Sequence, residues 1–217
     1  AKAIAQVEAG LRSTGATVGF TSKQLQQMAA GLQKKTLFGD EVILKDATAQ
    51  LLTFTNITGT QFERTQMAAL DLATRLDGDL KGASIQLGNA LNDPVANLSA
   101  LSRSGIQFSE EQKATIKALA ETNRLADAQT IILDELEKQY GGSAEAAAQA
   151  GAGGIIQLKN ELGDLMEEIG EMLMPILIDL GEIFKYSAIS ILVSPSCLLN
   201  TKACLHFGGR FSISFFT

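Results

Sequence analysis

Apolar residues recur along most of this chain at steps of three and four, the spacing of amphipathic helices. The most firmly specified stretch is residues 84–112. Leu87 and Leu91 close one helix. Pro94 suits the first position of the next, where a missing N–H costs nothing. Val95, Leu98 and Leu101 continue the stripe, and Gly105 is placed to cap it in the left-handed conformation. Ile106 and Phe108 then lead to Ser109-Glu110-Glu111-Gln112, a capping box that opens a third helix. These signals predict a helical corner built for packing.

The flanking segments read in the same way. Ile4, Val7 and Leu11 mark a short helix, the end of one that begins upstream, and residues 13–20 form a loop. Thr21 and Gln24 make a capping box for a helix that buries Leu25, Met28, Ala29 and Leu32, with Lys34 and Lys35 at its cation-favouring end. Asp40 is the expected N-cap of the next helix, which carries Ile43, Ala47, Leu51 and Phe54. The Thr-rich stretch 53–60 suits a short strand by β-branching, whereas Asn56 and Gly59 favour a turn. A helix then runs from Gln61 to Leu76 with Phe62, Met67, Leu70, Leu72 and Ala73 inward, and breaks at Asp77-Gly78-Asp79. Ile116 and Leu119 belong to the third corner helix; Ile132, Leu136 and Tyr140 stack on the following one. Residues 143–154 are almost wholly Ala, Gly, Gln and Glu. They predict a thin helix with nothing large enough to anchor a core, then a flexible Gly151-Ala152-Gly153-Gly154 joint.

Beyond that joint the stripe narrows. Ile155, Leu158, Leu162, Leu165, Ile169, Met172 and Ile176 alternate in steps of three and four, a heptad seam suited to oligomerisation. Glu161, Asp164, Glu167, Glu168 and Glu171 flank it. The plainer alternative is an ordinary amphipathic helix docked on its own domain. Pro175 lies inside this pattern, and its ring meets the carbonyl of Glu171, so a kink or a restart is expected.

The fold class that follows is all-α. Residues 1–20 are the end of an upstream helix and a loop, and 21–142 a multi-helix orthogonal bundle. Residues 143–154 are an Ala/Gly linker, 155–185 the longer, coiled-coil-like amphipathic helix, and 186–217 an irregular, atypical tail.

Charge sharpens the last boundary. The 217 residues carry a formal net charge of −6, yet residues 183–217 contain no Asp or Glu. That stretch also holds Cys197, Cys204, His206 and half of the ten Phe. The acidic balance of the rest argues against a nucleic-acid-binding surface, which needs clustered Lys and Arg. With His206 far from any carboxylate in sequence, no Ser-His-Asp or Cys-His site is expected, and no phosphate loop is present. Cys197 and Cys204 lack the tight pairing of a metal site. No enzymatic activity, metal or cofactor is therefore expected. The chain starts at Ala1, without Met or a signal-peptide pattern, and reads as a piece of something longer in a reducing compartment. The apolar run 187–199 is interrupted by Pro195 and falls short of a bilayer span.

The run LLTFTNITGTQF (51–62), followed by ALDLATRLDGDLKGASIQLGNALNDPVANLSALSRSGIQFSEEQK (69–113), resembles tape measure proteins of tailed phages and prophages. AQTIILDELEKQYGGSAEAAA (128–148) and QLKNELGDLMEEIGEMLMPIL (157–177) extend the resemblance to about residues 19–180. It implies a mostly helical structural protein that occupies the lumen of the virion tail tube and sets tail length. The implied partners are the tail tube protein and, in the host cytoplasm, the tail assembly chaperones. Homo-oligomerisation through the heptad helix fits this role, and membrane contact belongs only to the longer parent protein. Residues 186–217 depart from the family, as a frameshifted, mispredicted or degraded end would. A wholly helical chain of this length would reach only roughly 330 Å, so it would be a section of a ruler at most. The competing class is a membrane-active or secreted, toxin-like helical module.

Overall fold

The structure, a computed structural model, describes residues 2–151 and 153–192, with side chains to residue 180. Among these residues every regular element is helical. The chain divides into two compact units at Leu162/Gly163. The first contains α1 (Lys2–Ser13), α2 (Ser22–Gln33), α3 (40–51), α4 (Gly59–Arg75) and α5 (Leu80–Asn92). It continues with α6 (Pro94–Arg103), α7 (Glu110–Glu121), α8 (Leu125–Tyr140), α9 (Ser143–Gln149) and the start of α10 (Gly153–Leu192). The second unit contains the rest of α10.

Helix α4 is the centre of the first unit. It buries Phe62, Thr65, Gln66, Ala69, Leu70, Asp71, Leu72 and Ala73, so its covered surface runs well beyond a single stripe. Helices α5, α8 and α9 all pack against it, and α1 and α2 pack on α3. Full burial of a side chain such as Phe62 or Leu70 contributes about 1.5–3 kcal/mol each. The polar members of the core are bonded. Thr48 Oγ1 donates to Gln66 Oε1 at 3.0 Å, and Gln66 Nε2 donates to Met28 Sδ at 2.9 Å. Gln129 Nε2 donates to the carbonyls of Asn56 and Leu91 at 3.0 and 3.1 Å, tying α8 to the α3–α4 connection and to the corner.

The corner forms as its sequence signals require. Pro94 is the first residue of α6, and Asp93 Oδ1 accepts the Ala96 N–H at 3.2 Å. At the far end Ile106 N–H donates to Leu101 O at 3.2 Å and Gly105 N–H to Ser102 O at 3.1 Å, with Gly105 at φ +96°. Those two bonds are a Schellman motif, and its apolar pair Leu101 and Ile106 is fully buried. Gly15, Asp77 and Asn123, all at positive φ, close α1, α4 and α7 through the same longer-range bond. Both predicted capping boxes are present, at Thr21–Gln24 and Ser109–Gln112.

Several expectations are corrected. Gly39, not Asp40, is the N-cap of α3; Asp40 is the first helical residue, and its N–H donates to Gln33 Oε1 at 2.6 Å. Residues 43–48 of α3 are wound as a π-helix, and Ile43, Leu44, Ala47 and Thr48 are all buried there. Of the two readings of the Thr-rich stretch, the turn that Asn56 and Gly59 favour is the one observed, over residues 52–58. The first part of the Ala/Gly stretch does reach the core: Ala144 and Ala148 of α9 are buried, because side chains this small let the backbone approach α4 closely. Helix α10 runs without a restart through Pro175 and past residue 185. The irregular-tail reading for 193–217, together with Cys197, Cys204 and His206, lies outside the described residues.

At Gly88 of α5 an added Cβ would overlap the Phe54 ring. Gly88→Ala gains helix propensity but must displace that ring. It should lower stability by about 1–3 kcal/mol in urea unfolding. A more stable variant would mean that α5 and Phe54 do not meet this closely.

Candidate functional site

Two regions of the described residues stand out chemically. The first is a cavity of about 320 Å³ between α4, α8 and the start of α9. Leu133 and Leu136 help form its apolar lining, and Arg64, Asp71, Glu137 and Glu145 bring charge to it. These polar groups are engaged within the fold. Arg64 reaches Asp134 Oδ1 at 2.6 Å and Glu137 Oε2 at 2.9 Å. Asp71, almost completely buried, accepts the Ala144 N–H at 2.8 Å and the Gly142 N–H at 3.3 Å.

Asp71 therefore caps α9 from a helix some seventy residues earlier in the chain, holding the docked segment that leads to α10. Burial pushes its carboxyl above the ordinary aspartate range, and the backbone N–H groups of Ala144, Gly142 and Ser143 oppose that shift. Glu135 is shifted the other way: the side chains of Gln139 and Gln112 donate to it and hold it below the usual range. The role of Asp71 was not read from the sequence. The available signal was a carboxylate in the otherwise apolar run Ala68-Ala69-Leu70-Asp71-Leu72-Ala73.

The second region is α10. The structure places Ile155, Leu158, Leu162, Leu165, Ile169, Met172 and Ile176 on this one helix, each between 47% and 72% exposed. Within the first unit the root of α10 is bonded to the end of α2 and the turn beyond it. Gln157 Nε2 donates to Lys34 O at 3.3 Å and Asn160 Nδ2 to Leu37 O at 3.5 Å. Both are long, polar contacts, and Ile155 beside them is 72% exposed. Met166, Leu173, Met174, Leu177 and Ile178 are exposed as well. From Met172 to Ile178 every residue is apolar. No helix among the described residues is long and apolar enough to cross a membrane.

Comparison of the chain with protein-family models, with curated protein sequences and with solved structures finds no match.

The Asp71 cap makes a signed prediction. Its folded-state pKa lies above the unfolded one, so its contribution favours folding while the group is protonated and is lost as pH rises through that window. Relative to Asp71→Asn, the wild type should lose stability as pH climbs above about 3.9. Asp71→Ala leaves the Gly142 and Ala144 N–H groups unsatisfied and should cost about 1–3 kcal/mol, with early amide exchange at Ala144–Ala148. Unchanged exchange there would show that the cap does not hold α9.

Proposed function

We propose that this chain is a section of a phage-tail tape measure protein: a helical module followed by a helix that assembles with further copies along its heptad seam. The observation that carries this reading is the uncovered seam. Seven aliphatic or thioether side chains in heptad register stand in solvent on one helix, flanked by carboxylates. Burying them against like helices is the simplest removal of that surface from water.

The seam also bears on the number of strands. With Ile155 at a and Leu158 at d, the e positions are Lys159, Met166, Leu173 and Leu180. Three of these four are apolar and exposed, which widens the face from a two-position seam to a three-position one. A wider face favours a bundle of more than two helices. In this reading the tail tube protein surrounds the assembled helices, and the tail assembly chaperones bind the chain before the tube forms.

A second reading, a membrane-active helical module, draws on the segment from Met172 to Ile178. Partition of the intact chain into liposomes without self-association would favour it.

The test is tail length by electron microscopy after in-frame deletion of residues 155–180 from the parent gene. Tails shortened by about 1.5 Å per removed residue identify the stretch as ruler. Loss of all tails assigns it to assembly initiation or oligomerisation. Tails of unchanged length would overturn the reading.

A further inference from the structure

Three of the five methionines of the chain, Met166, Met172 and Met174, fall within nine residues of α10. They are 74%, 68% and 55% exposed. The other two belong to the first unit and are at least partly covered: Met28 Sδ accepts from Gln66 Nε2, and Met67 lines the cavity beside Asp71. Met172 occupies a d position, and it is the only sulfur among the seven seam residues. Met166 occupies an e position beside the seam.

We propose that Met172 is a redox-sensitive modification site that controls assembly through the seam, with Met166 as a secondary one. This rests on the self-association reading given above. A peroxide delivers one oxygen atom to the thioether. The O–O bond breaks, an S=O bond forms, the sulfur is oxidised by two electrons and the peroxide leaves as water. Methionine sulfoxide reductases reverse the step with electrons from a thiol. The consequence follows from the position. An unbranched thioether adapts to an apolar interface, whereas a sulfoxide places a strong, chiral acceptor there. In an interface built from Ile and Leu that oxygen meets no donor, and burying it unbonded is unfavourable.

The test uses the full chain with Cys197→Ser and Cys204→Ser, which removes thiol oxidation as a cause. Its molar mass is followed by light scattering before peroxide, after peroxide and after sulfoxide reductase treatment, with oxidation at each Met located by mass spectrometry. The expected result is a mass that falls on oxidation, with association weakened by about tenfold or more, and recovers on reduction. Met172→Leu keeps the d-position bulk without the sulfur and should stay assembled in peroxide. Assembly that persists with Met172 fully converted to sulfoxide overturns the proposal, as does equal peroxide sensitivity in Met172→Leu. A chain that is monomeric before any oxidation overturns the self-association reading itself, and this proposal with it.

Discussion

The first unit depends on the burial of α4. A helix covered well beyond one stripe cannot be served by one neighbour, so α5, α8 and α9 must all pack on it. That demand sets the terms for the polar groups α4 carries. Gln66 is satisfied by Thr48 and Met28, and Asp71 by the backbone of the Gly142–Ala144 turn. Arg64, at the edge, reaches out to Asp134 and Glu137 of α8. Each bond joins α4 to a segment distant in sequence. The polar contacts that permit its burial therefore also fix which elements surround it.

What was legible in the sequence were the local signals. Pro94 at the first helical position, Gly105 in the left-handed cap, and the Thr21 and Ser109 capping boxes each work within five or six residues, and each is present as read. The heptad pattern likewise placed all seven seam residues on one helix. What escaped was decided by tertiary contact. The π-helical winding of 43–48 accompanies burial of Ile43, Leu44, Ala47 and Thr48, and nothing in the spacing of those residues separates it from an α-helix. The docking of α9 depends on Ala144 and Ala148 being small where α4 comes close, whereas composition alone suggested a linker. The capping of α9 by Asp71 joins positions that no local pattern connects. The shift of the α3 cap from Asp40 to Gly39 is a one-residue matter, settled by the Gln33 side chain that takes the Asp40 N–H.

The functional contrast lies between the two kinds of surface on one chain. In the module the large apolar residues are inside, with Val42, Ile85 and Val95 as scattered exceptions. On α10 the apolar residues are outside, regularly spaced and contiguous. Scattered apolar side chains on a surface need no explanation; a continuous register of them over several turns is the surface on which the proposed self-association rests. In the proposed assembly the flanking carboxylates stay in water while the seam pairs with another copy.

The most direct measurement is sedimentation equilibrium of the full chain beside a Leu162→Glu, Leu165→Glu double variant, with amide exchange in the module as a control. These two residues are the a and d positions of one heptad, both about half exposed. The account predicts an assembly of more than two chains for the wild type and a monomer for the variant, with module exchange unchanged. A wild type that is monomeric at every concentration, or a variant that assembles equally well, would contradict it.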